Sequence, residues 1–343
     1  MRILVPLINR LSFIDRDVAT LRQEHDVDVV SVAGWSIVRC LRQVLWADIV
    51  FCWFASRRFL PVVLLARLLG RKIIVIAGGY DVADQPAIGY GNMRTRIGRV
   101  LGRLLLHVAH TVSSYSESGA SEVAANGGIP RARQRMVYLG FASPAGSQRH
   151  SVAKGGVVLT VARINRSTLD RKGLRLVART AAYLRNYRFI VAGRYDSDAA
   201  EVLHRESCGQ VELPGYVADE ELMRLYKGAS VYLQPSYHEA FGCAVAEAML
   251  WGCVPVVSDR YSLPEVVGKA GYYVSVDSSP QEIATVVKKA VLGPPPDGES
   301  PRDRILRCFP EGRRSEQLLA LVAELSSDGR SSPHPGANAT VAC

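Results

Sequence analysis

Glu239 and Glu247 stand on either side of the seven residues Ala-Phe-Gly-Cys-Ala-Val-Ala, and two cations, Arg163 and Lys172, precede them at the two ends of a polar loop. A carboxylate is acceptor-only and bidentate, which suits a vicinal diol, and fixed cations suit a group on which negative charge builds. Between the glutamates, Phe241 and Gly242 open a helix. A helix N-terminus that follows a turn with Gly and small residues presents free backbone N–H groups, so a phosphate can sit there. Carboxylate, cation and helix mouth together make the geometry of a diphosphate site.

The elements that must hold these residues follow from the spacing. Ser230 to Gln234 is a β-branched strand and Pro235 to Glu239 a turn. The helix carries Ala244, Val245, Ala248 and Met249 at helical spacing, Gly252 with Pro255 closes it, and Val254 to Val257 is a second buried strand. Arg163 ends the strand Val157 to Ala162, and Lys172-Gly173 leads into the helix Leu174 to Leu184. Gly193 follows the strand Phe189 to Ala192. In the first half, strands at Arg2 to Ile8, Val27 to Val32, Ile49 to Phe54, Lys72 to Ala77, Thr111 to Ser114 and Met136 to Leu139 alternate with helices, among them Asn92 to His110. Such alternation argues an α/β protein with parallel sheets covered on both faces. The turn Gly78-Gly79-Tyr80-Asp81 lies at the carboxyl end of a strand, where open α/β sheets put their ligands, so Asp81 is a further candidate catalytic residue. Its other reading is an ordinary turn-forming Asp.

The run Glu-Ala-Phe-Gly-Cys-Ala-Val-Ala-Glu-Ala-Met, with Gly-Cys-Val-Pro-Val-Val after it, closely resembles the signature of the family 4 glycosyltransferases. The resemblance extends over about residues 155–326 and is weak before them. It implies a retaining, nucleotide-sugar-dependent enzyme of the GT-B fold, two doubly wound Rossmann-like domains facing each other across a cleft. The boundaries that follow are an acceptor-side domain over 1–140, a linker over 141–156 and a nucleotide-sugar domain over 157–312. A helix over 313–326 would pack back on the first domain, and a polar Ser/Pro/Gly-rich tail over 327–343 would be disordered. By the same resemblance Glu247 accepts from ribose hydroxyls, and Glu239 lies by the donor sugar and acts in catalysis. Arg163, Lys172 and Gly193 join the donor side, with the backbone N–H groups of Phe241, Gly242 and Cys243. Retaining relatives let the leaving phosphate oxygen take the acceptor proton, so no enzymic nucleophile is required. No cofactor is expected, the nucleotide-sugar being a substrate, and no metal either. The sequence Asp196-Ser197-Asp198 spells a metal signature of a different glycosyltransferase fold, yet here it reads as a helix cap. The first strand ends in Pro6-Leu7-Ile8-Asn9-Arg10, without the Gly-rich loop of many members.

Composition sets outer bounds. At 343 residues with 48% hydrophobic content the chain is globular and long enough for two domains. The net charge of +10 is uneven: residues 1–150 hold 19 Lys+Arg against 10 Asp+Glu, and the rest 23 against 22. Arg96, Arg99 and Arg103 share one face of the Asn92 to His110 helix, which also carries an apolar series from Ile97 to Val108. That basic face is either solvated or a contact for an anionic membrane. The seven Cys lie far apart without zinc spacing, as in a reducing compartment. The N-terminus runs straight into a strand, and no apolar stretch is long enough to span a membrane. A cytoplasmic protein is expected, soluble or peripheral on the inner face of the membrane, with a nucleotide-diphosphate sugar as donor, a glycan or lipid-linked acceptor, and no nucleic-acid partner. The sequon at Asn338 lies in the tail and counts as noise. A nucleotide-sugar epimerase of the same fold and a non-catalytic nucleotide-sugar-binding partner stay open as alternatives.

Overall fold

The computed structural model describes residues 1–32, 37–144, 155–292 and 298–327. Most of the expected linker, the Pro-rich breaker after Leu292 and the expected tail with Asn338 lie outside the described residues. Two compact units account for the rest: Met1–Gly140 joined by the helix that starts at Glu311, and Phe141–Pro310.

In the first unit the chain runs β1 (Arg2–Leu7), α1 (Ser12–Leu21), β2 (Asp26–Ser31), α2 (Ile37–Trp46), β3 (Ile49–Trp53), α3 (Leu60–Leu68) and β4 (Lys72–Ile76). It continues through α4 (Arg96–Val108), β5 (Thr111–Ser114), α5 (Glu117–Ala125) and β6 (Gln134–Met136). The six strands form one sheet in the order β2-β1-β3-β4-β5-β6, every pairing parallel. All five residues of β3 are buried, the mark of a strand covered on both faces. The last strand is Gln134–Met136 rather than the expected Met136 to Leu139, because Gln134 turns its amide inward to donate to the carbonyls of Ala120 and Ile129. Cys40 and Cys52 are small buried core residues, and burial pushes the Cys52 thiol up.

The buried face of α4 is shifted from its apolar series. The structure buries α4 through Gly98, Gly102, Leu105 and Leu106, while Ile97, Val100 and Leu104 of the apolar series stay exposed. The cause is close approach: a Cβ on Gly98 would lie 2.0 Å from the Asn92 carbonyl oxygen, and one on Gly102 2.7 Å from Met93. The expected basic face is also partly tied back. Arg99 pairs with Asp84 at 2.7 Å and donates to the Met93 carbonyl, and Arg103 donates to the Asn126 carbonyl.

The second unit runs β7 (Val157–Val161), α6 (Arg166–Arg171), α7 (Leu174–Ala181), β8 (Arg188–Ala192), α8 (Ser197–Glu206), β9 (Val211–Glu212), α9 (Asp219–Gly228) and β10 (Val231–Gln234). Then come α10 (Cys243–Leu250), β11 (Val254–Ser258), α11 (Leu263–Val267), β12 (Tyr272–Val274), α12 (Pro280–Leu292) and α13 (Pro301–Cys308). Its parallel sheet has the order β12-β11-β10-β7-β8-β9. The order reverses between β7 and β10, and in the first sheet between β1 and β3. Loops leaving the carboxyl ends of two such strands diverge and open a crevice, which is where ligands bind in doubly wound sheets.

The closing helix α14 (Glu311–Ser327) belongs to the first unit, where it packs on α1. Arg314 holds it there with a two-pronged pair to Asp17, at 2.9 and 2.8 Å, while its remaining nitrogen takes the Val137 and Tyr138 carbonyls. Both partners are nearly sealed from solvent, so every donor of the guanidinium has to be satisfied locally.

Candidate active site

Everything at the second switch point hangs on a short helix and a glycine. Asn165 caps α6 by accepting from the Thr168 N–H at 3.1 Å, and the Thr168 hydroxyl reciprocates on the Asn165 N–H at 2.9 Å. The polar loop expected here is therefore helical, in a turn and a half too short to show a period. Lys172 ends it and Gly173 reverses the chain with φ +66°. A Cβ on Gly173 would lie 2.1 Å from the Pro235 carbonyl oxygen, so only glycine lets the loop after β7 meet the loop after β10. The Tyr237 N–H closes the same seam on the Arg171 carbonyl at 2.8 Å.

That seam delivers Lys172 to Glu239. The ammonium pairs with Glu239 Oε1, which also accepts from Gln234 at 2.9 Å and from Ser236 at 3.0 Å. No hydrogen bond to Oε2 forms among the described residues. Burial pushes the Glu239 carboxyl up, but the charges of Lys172 and Arg171 and the bonds from Lys172 and Ser236 outweigh it. The net direction is down, so the buried carboxyl is ionised at neutral pH. Its backbone is held as firmly: Ser262 donates to the Glu239 carbonyl at 3.1 Å and Ser258 to that of Ser236 at 2.5 Å.

Glu247 sits about two turns into α10, half-buried, where the Tyr226 hydroxyl donates to it at 3.1 Å. Burial, helped by the nearby carboxylate, pushes the Tyr226 phenol well up, so it stays a donor. Its ring lies 6.3 Å from that of Tyr232, whose hydroxyl donates to Gln234 at 3.0 Å and accepts from the Val161 N–H at 3.1 Å. A line of polar groups thus runs along β10 between the two glutamates. Gly242 caps α10 with φ +95°, and the Phe241 ring packs between Phe141 and Phe309 at 5.7 and 5.3 Å. The ring anchors the backbone that leads to Cys243 at the head of the helix.

Residues 155–291 match the model of the family described as group 1 glycosyl transferases. Over these residues the chain resembles that family. The matched stretch contains Glu239, Glu247, Arg163, Lys172, Gly193, Phe241, Gly242 and Cys243. Among curated proteins, the chain is 48% identical over 63 residues to the O-antigen chain mannosyltransferase B of Escherichia coli, covering 18% of this chain and 16% of that protein. It is 28% identical over 145 residues to a GDP-mannose-dependent phosphatidylinositol dimannoside mannosyltransferase of Mycobacterium tuberculosis, 42% of this chain and 37% of the relative. Solved structures agree over far more of the length. HepE from Anabaena, in complex with UDP and glucose, superposes with a TM-score of 0.73 at 16% identity, covering 94% of this chain and all of that one. The sucrose-phosphate synthase of Thermosynechococcus elongatus gives 0.74 at 16% identity over 96% of this chain. At such identities the likeness concerns the fold, and the fold is the two-domain α/β architecture of the GT-B glycosyltransferases.

Elsewhere in the matched stretch the other expected residues make contacts of their own. Arg163 is exposed just past β7 and pairs at 3.6 Å with Asp196. Gly193 approaches that turn so closely that a Cβ would lie 2.0 Å from the Ala162 carbonyl oxygen. The capping reading of Asp196 and Asp198 needs correction: Asp196 occupies the N-cap position of α8 without a side-chain cap bond, and Asp198 pairs with Arg166 at 2.8 Å. Exposed arginines attract these carboxylates away from the helix end. No group of three or more His, Cys, Asp or Glu suited to a metal occurs among the described residues. Asp81 lies in the first unit, buried, and accepts from the N–H groups of Ala55 at 2.8 Å, Gly79 at 2.9 Å and Gly78 at 3.5 Å. Burial pushes its carboxyl up, against those bonds. It ties the turn after β4 to the loop after β3. Sequence reasoning missed Gln234, Ser236, Tyr226 and Tyr232. Gln234 left one signal, an amide closing an otherwise apolar buried strand.

Proposed function

We propose that this chain is a retaining glycosyltransferase of family 4, which moves a sugar from a nucleotide-diphosphate sugar to a glycan or lipid-linked acceptor of a cell-envelope polysaccharide. One observation carries the reading: an ionised, buried Glu239 braced on one oxygen by Lys172, Gln234 and Ser236, at the switch point of a group 1 domain. A permanent negative charge there can stabilise positive charge at an anomeric carbon. Lys172, one bond away, is placed to turn from Glu239 to the leaving diphosphate as charge builds on it. Arg163, on the exposed loop, supplies a second cation and Glu247 the acceptor for ribose hydroxyls. In the transfer, the bond from the anomeric carbon to the phosphate oxygen breaks and a bond to the acceptor oxygen forms on the same face. The acceptor's proton leaves on the departing phosphate oxygen. The two cations serve where a metal would, so activity is expected to need none.

The printed names of the curated relatives favour a mannosyl donor, and GDP-mannose is the first to try. UDP stands in the HepE structures, so UDP-sugars are the necessary comparison. A thermal-shift panel of GDP-mannose, UDP-glucose and ADP-glucose on the parent, followed by transfer assays in EDTA and anomeric assignment of the product by NMR, tests the reading. A product of inverted configuration, or activity restored only by Mn²⁺ or Mg²⁺, would overturn the corresponding part.

A further inference from the structure

The helices α2, α3 and α4 of the first unit carry six arginines and no Asp or Glu. They lie side by side, α3 touching both others, and their inner faces meet one core through Val44, Val63 and Leu105. Their outer faces are apolar where a water-facing surface would be polar. Leu68 of α3 is 84% exposed, and Ile97 and Val100 of α4 are 67% and 64% exposed. Leu64 lies beside Leu68, one turn away, and Leu41 and Leu45 of α2 are exposed as well. Leu65, Leu101 and Val108 are half-buried, so the apolar surface runs on from these rows into the core. Cations flank it: among the described residues Arg42 and Arg96 are exposed and make no ion pair. The outer helix α9 of the second unit is the contrast, exposing Met223 behind three acids in its first turn.

We propose that this three-helix face docks on an anionic lipid bilayer, with the leucine, isoleucine and valine rows entering the headgroup boundary and the arginines meeting lipid phosphates. Apolar rows beside cationic edges are the pattern of interfacial helices, and helices without a carboxylate of their own suit an anionic lattice. A second copy of the chain is the poorer occupant, because a two-fold contact would set the net cationic face against itself. No helix among the described residues is long and apolar enough to cross a membrane, so the contact is one of surface insertion. With Arg99 and Arg103 engaged inside the unit, the apolar rows carry attachment and the free arginines steer it. The inference deepens the reading of a lipid-linked acceptor, but its grounds lie wholly in the first unit.

Flotation of the full chain with vesicles of equal parts phosphatidylglycerol and phosphatidylcholine, and with phosphatidylcholine alone, tests it. The parent is expected to float with the anionic vesicles and to keep part of its binding at high salt. A triple Leu68→Gln, Ile97→Gln, Val100→Gln variant, altered only at exposed positions, should bind at least about tenfold more weakly at any salt. An Arg42→Gln, Arg96→Gln variant should lose binding mainly at low salt. The proposal falls if the parent ignores anionic vesicles, if the triple variant binds like the parent, or if the parent is a dimer that the triple variant dissolves. Nucleotide-sugar thermal shifts on the same variants report the second unit separately. Vesicle binding lost with donor shifts kept bears on this face alone, and donor shifts absent from the parent bear on the proposed activity alone.

Discussion

At its switch point the first sheet presents rings, with Trp53 within 5.1 to 6.2 Å of Phe13, Phe54 and Tyr115, whereas the second presents Lys172, Glu239 and Gln234 in hydrogen-bonded contact. Each sheet also buries one carboxylate at the end of a strand, and the two are handled oppositely. Among the described residues Asp81 has only backbone N–H partners, and burial raises its pKa; Glu239 has a cation, and its pKa falls. Backbone donors suffice to pin two loops together. Keeping a charge ready in a dry place takes a counter-charge, and that is the arrangement a reaction with developing charge can use. The same topology thus yields one mouth built for holding shape and apolar contact and another built for charge.

The comparison breaks first at Glu239. Glu239→Gln keeps size and hydrogen bonding but removes charge, and should lower turnover by at least about a hundredfold while leaving nucleotide affinity nearly unchanged. Near-parent turnover would take the carboxylate out of the chemistry. Lys172→Ala leaves that carboxylate buried and unpaired, and urea denaturation at neutral pH should show a loss of about 3 kcal/mol. Because the folded pKa of Glu239 lies below its unfolded value, its stabilisation is present above the ordinary glutamate range and is lost as pH falls through the folded pKa. The gap between parent and Lys172→Ala should therefore narrow in acid.

Asp81→Ala, which orphans buried N–H groups, should cost about 2 kcal/mol with donor affinity kept. Here the sign reverses. The folded pKa is raised, so the stabilisation is full below the ordinary aspartate range and is lost as pH rises through the folded value, and this gap should widen in acid. Denaturation series at pH 4 to 7 on both variants would show opposite slopes, and parallel slopes would erase the contrast. Should Asp81→Ala abolish turnover at unchanged stability, Asp81 belongs with the chemistry after all. Glu247→Ala is the mildest change, expected to weaken nucleotide binding by about 1 kcal/mol, roughly fivefold in Kd by calorimetry.

Local pattern alone determined a good deal of this protein. Alternating apolar runs specified two parallel sheets, and the Glu239–Glu247 spacing around a glycine-opened helix marked the candidate site, because both signals lie within one or two elements of the chain. What local pattern could not settle was decided by pairing between distant segments. Glu239 reads as a lone turn carboxylate until β10 lies beside β7, and then Lys172 from the loop region after β7 pairs with it. Periodicity could not say which face of α4 was inside, since glycine carries no hydrophobic signal and the fit of Gly98 and Gly102 against Asn92 and Met93 chose a face that takes only Leu105 fully from the apolar series. The return of α14 to the first unit depends on Arg314 meeting Asp17 across nearly the whole chain. A buried ion pair leaves no trace in the local sequence of either partner, because its stability exists only once folding has removed both from water.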